Sequence, residues 1–285
     1  MDNRMNINWF PGHMTKARRM IEENTKLVDA VCEIVDARIP RSSRNPDVEE
    51  LTRGKPRLII LNRVDLADPE VTALWTEYYK GEKADVLKTN SRDGQGISGL
   101  SGAIRSLLRE KLAQNEAKGL GGKPVRAMVI GVPNVGKSTF INKVAGRKSA
   151  KTSDKPGVTR GKQWITVDNR LELLDTPGIL WPRIDDPETG LALAFTGAVR
   201  DEILDVEELA ARLMLKLREL YPAELSARYK FAPEPDMTGV ELVEAAARRR
   251  GFLISGGELD TLRMAVILLD EFRGGVLGRM SLEKP

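Results

Sequence analysis

The sequence predicts an α/β unit, a mostly parallel sheet with helices on both faces, followed by a small all-α unit. Across the first two thirds, short β-branched apolar runs alternate with helical patterns, the signature of a parallel sheet covered on both sides. After about Pro187 the β character vanishes and periods of 3.6 residues take over. The chain has 285 residues, 41% of them hydrophobic and 30% charged, which is enough for roughly two apolar cores.

Taken in order, strands are expected near Val31–Asp36, Arg57–Leu61, Asp85–Thr89, Ala127–Gly131, Trp164–Val167 and Leu171–Leu174, with helices in most gaps. A helical pattern over Gly99–Glu116 is followed by AKGLGGKP, Ala117–Pro124, whose glycines read as a flexible connector. Later come VEELAARLMLKLREL, GVELVEAAARRRG and ELDTLRMAVILLDEF, all with helical period, punctuated by Gly239, Gly251, Gly256, Gly257, Pro222, Pro233 and Pro235. These place a first domain over residues 1–186 and a helical second domain over 187–285.

Composition excludes several classes. One cysteine, Cys32 in the apolar run AVCEIVDA, rules out a disulfide framework or a cysteine zinc cluster and reads as a core thiol. No apolar run reaches the roughly 18 residues that cross a bilayer, and the N-terminus has no signal-peptide pattern, so a cytoplasmic protein without a membrane partner is expected. The net charge of +4 is modest, yet Lys143, Arg147, Lys148, Lys151, Lys155, Arg160 and Lys162 crowd one stretch. Both a solvated loop face and an RNA contact are consistent with it.

The strongest chemical signal is RAMVIGVPNVGKSTFINKV, in which Gly131–Ser138 matches GxxxxGKS between an apolar strand and a helical pattern. Glycines there let successive N–H groups turn toward phosphate oxygens at a helix N-terminus. Asn134, Val135, Gly136, Lys137, Ser138 and Thr139 would form the cradle, with Lys137 on the β- and γ-phosphates and Ser138 on magnesium. Downstream, RLELLDTPG ends a strand in Asp175, Thr176, Pro177 and Gly178, the order in which a carboxylate holds magnesium through water and a glycine N–H senses the γ-phosphate. Between them lies KPGVTRG, where Thr159 is either a turn residue or the threonine of a loop that folds over metal and phosphate.

Phosphate loops serve ATP and GTP alike, so base choice must come from elsewhere. No NKxD-like tetrapeptide follows Gly178, but PRLIILNRVDL places Asn62, Arg63, Val64 and Asp65 at the end of an upstream strand. The Asp65 carboxylate can accept from both the ring N–H and the exocyclic amine of guanine, a donor pair that adenine lacks. The next strand runs into Asn90 and Ser91, at the place of a second base-contacting loop. The motif order is therefore rotated, which is physically easy because domain termini often lie close together and a connector such as Ala117–Pro124 can join them.

The order NRVD, NS, GVPNVGKS, PGVT, DTPG, preceded by WFPGHM and DARIP, resembles the ribosome biogenesis GTPase A family over essentially the whole chain. The resemblance implies a circularly permuted Ras-like P-loop GTPase domain using GTP/GDP, Mg2+ and K+. It also implies a partner, the late large (50S) ribosomal subunit precursor with its rRNA and proteins, engaged in the GTP state and released on hydrolysis. Arg63 stands where the family usually has lysine; arginine also stacks on a base but is not interchangeable with lysine. Ile179 stands where many GTPases carry a water-positioning glutamine, a job closed to an aliphatic side chain. The resemblance offers two substitutes: Asn134 as a potassium ligand, and His13, the single histidine, as a group that orients or deprotonates water. The alternative for His13 is a surface hydrogen bonder in an N-terminal anchor. Asp36 and Arg38 of DAR are expected to pair locally, and Arg248, Arg249 and Arg250 to suit a helix end or RNA phosphates. Two rival functions remain: a GTP-dependent interaction protein without turnover, and a P-loop ATPase or kinase. Oligomeric state is open.

Overall fold

The computed structural model describes residues 12–82, 84–120, 122–146, 163–181, 183–199, 201 and 204–285, with the backbone alone for residues 12–14. Six strands form one sheet: β1 (Ala30–Asp36), β2 (Arg57–Asn62), β3 (Asp85–Lys88), β4 (Val125–Ile130), β5 (Trp164–Asp168) and β6 (Leu171–Asp175). Their spatial order is β3-β2-β1-β4-β6-β5, parallel throughout except for β5, which pairs antiparallel with β6 at one edge. Each strand lies within two residues of its expected bounds.

Because β1 has a strand on either side and helices above and below, all of its residues are buried. Cys32 and Ile34 pack with Leu100 and Ile104 of α4 (Leu100–Leu107) and Phe140 of α6 (Lys137–Ala145). On the opposite face Val31 meets Ala17 and Ile21 of α1 (Gly12–Thr25), and Val35 meets Val71, Trp75 and Tyr79 of α3 (Pro69–Gly81). The Cys32 thiol is enclosed and burial pushes its pKa up to about 12, as a core thiol requires. The DAR contact also forms: Arg38 grips Asp36 with two bonds of 3.0 and 2.8 Å, both side chains being almost fully buried. Burial alone would raise the Asp36 pKa, but the Arg38 charge and hydrogen bonds outweigh it and hold the carboxyl below its ordinary range.

The single helix expected over Gly99–Glu116 is instead a 3₁₀ turn (Ile97–Gly99), α4 and α5 (Arg109–Ala117). The break falls at Leu108, which leaves helical geometry with φ −101° and ψ 15° while its side chain enters the core. No residue of α5 is fully buried; past that point Leu112 packs only partly against the core and Lys111 pairs with Asp29 at 2.7 Å. α4 and α5 carry the chain back from β3 at the edge, Lys111 of α5 already bonding Asp29 ahead of β1, and Ala117–Pro124 leads into β4 beside β1. Cutting there and joining the original ends elsewhere would restore the usual GTPase motif order without moving a strand.

The remaining helices are α7 (Pro187–Phe195), α8 (Val206–Leu220), α9 (Pro222–Tyr229), α10 (Gly239–Arg250) and α11 (Thr261–Gly274); a short α2 (Asp47–Leu51) precedes β2. Asp186, Asp205 and Asp260 cap their helices, and Thr238 with Glu241 forms a reciprocal capping box on α10. Leu213 and Leu217 of α8, Leu242 and Ala246 of α10, and Leu268 and Phe272 of α11 pack into the same apolar cluster as the α4 and α6 face of the sheet. Gly239 is required where α10 touches α8: a Cβ there would sit 2.4 Å from the Ala211 carbonyl oxygen.

A charged knot locks these helices. Glu271, 9% exposed, accepts from Arg228 Nε at 2.9 Å, Arg250 at 2.6 Å and the Tyr229 hydroxyl at 2.8 Å. Arg250 is therefore committed to the helical core, and of the three arginines expected at the α10 end only Arg248 and Arg249 stay exposed. Burial opposes Glu271 ionisation, yet hydrogen bonds from Arg228 and Tyr229 and the two arginine charges hold its pKa below the ordinary value. Its contribution is thus present above the unfolded carboxylate pKa and lost as pH falls through the lowered folded one. Glu271→Ala should cost about 2–3 kcal/mol, less than a fully buried pair because Arg228 and Arg250 remain partly solvated, and urea unfolding at neutral pH measures it.

Candidate active site

The carboxyl ends of β1, β2, β4 and β6 open on one side of the sheet, where chain direction departs both ways from the β1–β4 boundary, the place at which open α/β sheets bind ligands. Around that crevice lie the phosphate loop, the Asn62–Asp65 strand end, the Asn90–Ser91 loop and Asp175–Gly178.

Asn62 joins three of these segments. Its side-chain amide donates to the Val135 carbonyl of the phosphate loop at 2.8 Å. Its carbonyl oxygen accepts from Thr89 Oγ1 at 3.1 Å, Ser91 N at 3.2 Å and Ser91 Oγ at 2.6 Å. A buried amide with these partners holds both base-side loops against the phosphate loop, and removing it would leave several of those groups unpaired. Gly136 lies so near that a Cβ would fall 2.5 Å from Asn62 Nδ2, and its φ of 90° independently favours glycine.

Arg63 follows in a left-handed conformation, φ 62°, which costs an ordinary residue roughly 1–2 kcal/mol. Its guanidinium donates to the Asn134 carbonyl and lies 3.6 Å from Asp36, contacts that hold the strained residue. Val64 and Asp65 complete the loop, both half-buried, and Asp65 receives no hydrogen bond from any described side chain. Asn90, buried, accepts from Arg92 N at 3.0 Å and closes its own turn.

In the phosphate loop Asn134 is also left-handed, φ 60°, a conformation asparagine tolerates, and its side-chain amide donates to the Gly197 carbonyl after α7 at 2.6 Å. Lys137 opens α6 with its ammonium buried, 3.0 Å from Asp175 Oδ1 and bonded to the Thr176 carbonyl. Ser138 and Thr139 are exposed in the first turn of α6. The Asp175–Gly178 segment lies across the loop: Ile179 N donates to Gly131 O at 3.2 Å, and a Cβ on Gly178 would come 3.1 Å from Pro133. Ile179 itself is 2% exposed, packed beneath the loop, so it faces no attacking water.

Magnesium fits this donor set. No three His, Cys, Asp or Glu among the described residues form a metal cage, whereas magnesium beside phosphates needs only one or two protein oxygens and keeps several waters. The Ser138 hydroxyl and the Asp175 carboxylate, the latter 3.0 Å from the Lys137 ammonium, would supply those oxygens.

Two expected site residues are not brought into view. Thr159, with the basic stretch from Arg147 to Lys162, lies outside the described residues, as does the side chain of His13 in the first turn of α1. Thr89 and Gly197 were missed: Thr89 immediately precedes the Asn90–Ser91 pair and could have been found by that adjacency, while Gly197 acts through a carbonyl and carries no sequence signal. No described helix is long and apolar enough to cross a membrane.

Comparison with known proteins agrees with this geometry. The 50S ribosome-binding GTPase model matches residues 126–226, from β4 onward, leaving out the rotated Asn62–Asp65 segment. Ribosome biogenesis GTPase A of Bacillus cereus is 46% identical over 281 residues, covering 99% of this chain and 95% of its own. That of Priestia megaterium is 47% identical over 283 residues, covering 99% and 98%. The GDP-bound structure of TM YlqF superposes with a TM-score of 0.68 at 29% identity, covering 94% of this chain and 99% of that one. With the rotated motif order, one shared crevice and near-full-length identity of this size, the chain belongs to the ribosome biogenesis GTPase A family.

Proposed function

We propose that the protein binds GTP across the Asn62–Asp65 and Gly131–Ser138 segments and hydrolyses it while acting late in assembly of the large ribosomal subunit. The carrying observation is the Asn62 amide, which ties the base-side loops to the Val135 carbonyl and so sets both for one nucleotide. Asp65 reads the guanine edge, Arg63 covers its face, and Asn90 and Ser91 shape the second base loop. Lys137 and the backbone of Asn134–Thr139 hold the phosphates, and Gly178 responds to the terminal one. Ser138, Asp175 and Thr159 hold magnesium, which when bound offsets charge between the phosphates.

Residues 1–186 form the nucleotide unit and 187–285 the unit that, with the basic stretch, meets rRNA and ribosomal proteins in the cytoplasm. The names of the relatives and of the matching family support the partner class. The precursor is held in the GTP state and freed after hydrolysis.

With Ile179 buried, water activation falls to His13 and charge compensation to potassium at Asn134. Phosphate release measured with purified large subunits should rise at least tenfold over the free protein in potassium and fall in sodium. Unchanged release with subunits present would favour the non-hydrolysing interaction protein. His13→Ala should abolish the stimulated rate while leaving GTP binding intact.

A further inference from the structure

The chain after α11 runs back over the nucleotide unit as a strap. Leu277, Met280 and Leu282 bury their side chains, and Glu283 accepts from the backbone N–H groups of Arg41 at 2.8 Å and Ser42 at 3.2 Å. Trp75 Nε1 donates to the Glu283 carbonyl at 3.0 Å, and Leu282 N donates to Arg38 O at 2.8 Å. Between these anchors the strap crosses the loop that follows β2. Arg279 donates to the Val64 carbonyl at 2.8 Å and the Ala67 carbonyl at 3.0 Å, on either side of Asp65 and Leu66. Met280 N donates to the Leu66 carbonyl at 2.9 Å. Ser281 Oγ accepts from Asp68 N at 3.1 Å, and Ser281 N donates to the Tyr221 hydroxyl at 2.8 Å, which itself lies 3.3 Å from the Asp68 carboxylate.

Every hydrogen bond between the strap and the Val64–Asp68 loop is thus made to the loop's main chain, on both sides of Asp65. A guanidinium spanning two carbonyls fixes their separation as a single-point donor cannot. We propose that the strap, through Arg279, is the positioning element for guanine selection: it holds the Asp65 backbone so that both carboxylate oxygens meet the base. This rests on Asp65 being the guanine reader. Since the strap continues from α11, it also makes base selection depend on the seat of the helical unit.

The test compares GDP with IDP, whose hypoxanthine keeps the ring N–H but lacks the exocyclic amine. A loosened carboxylate loses two bonds to GDP and one to IDP, so their affinity ratio should fall. Competition binding on full-length Arg279→Met should show the GDP-over-IDP preference reduced roughly fivefold to tenfold, the scale of one hydrogen bond. Arg279→Lys should recover part of it, and Ser281→Ala should move it in the same direction. Melting of each nucleotide-free variant identifies any that fail to fold. A GDP-to-IDP ratio unchanged in folded Arg279→Met and Ser281→Ala, with both affinities constant or falling in parallel, overturns the proposal. Xanthine nucleotide separates the two ideas. If Asp65→Asn does not turn preference toward XDP, the reading of Asp65 fails and the proposal with it; if it does, a constant ratio in Arg279→Met sinks the strap's role alone.

Discussion

Asp65→Asn is expected to lower GDP affinity on the order of a hundredfold and to raise affinity for XDP, so that the variant selects xanthine. The carboxylate at the end of β2 accepts two hydrogen bonds from guanine. An asparagine amide in the same place keeps one acceptor and turns the other atom into a donor, which meets the guanine amine donor to donor. The clash leaves two buried donors unpaired, each costing about 1–3 kcal/mol, and together they give the stated loss. Xanthine presents a carbonyl where guanine presents the amine, so the same amide pairs with it. Adenine nucleotides should stay excluded, because adenine has no ring N–H for the retained acceptor. Competition of GDP, XDP and ADP for one labelled nucleotide measures all three; selection of ADP by the unaltered protein would favour the ATPase or kinase reading.

Lys137→Ala should weaken GTP binding and turnover together by roughly a thousandfold, while changing the stability of the nucleotide-free protein by about 1 kcal/mol. The asymmetry follows from where the ammonium sits. It now bonds Asp175 and the Thr176 carbonyl, and the Asp175 side chain is 27% exposed, so water can replace much of that interaction. Against a triphosphate no water substitutes for a buried cation meeting several anionic oxygens in a low-dielectric loop. Lys137→Arg should not restore activity, since the planar guanidinium is too broad for the space the ammonium fills between Asp175 and Thr176. Isothermal binding of GTP beside urea unfolding of the same variant checks both halves; a stability loss matching the binding loss would make Lys137 a structural residue.

Most of the fold is legible in the sequence because its strands are short continuous apolar runs. The break at Leu108 is not, since helix-favouring residues continue across it and the cause is tertiary: the core buries Leu108 fully and Leu112 of α5 only in part. The candidate site divides the same way. Gly131–Ser138, Asp175–Gly178 and Asn62–Asp65 are readable because each needs particular residue types at fixed spacing beside a strand. That Asn62 serves as the cross-link between loops, and that Arg250 belongs to the Glu271 knot and not to a free cationic end, depends on partners tens of residues away. The strap has no periodicity and no motif, and its grip on Val64–Asp68 runs largely through carbonyls, which are the same in every residue.

A crystal structure of the full-length protein with GDP and magnesium tests the central claim most directly. The account predicts one nucleotide with its guanine edge on the Asp65 carboxylate and its phosphates within Gly131–Ser138, the Asn62 amide still bonded to Val135. A nucleotide whose phosphates occupy the loop while its base lies away from Asp65 would contradict it.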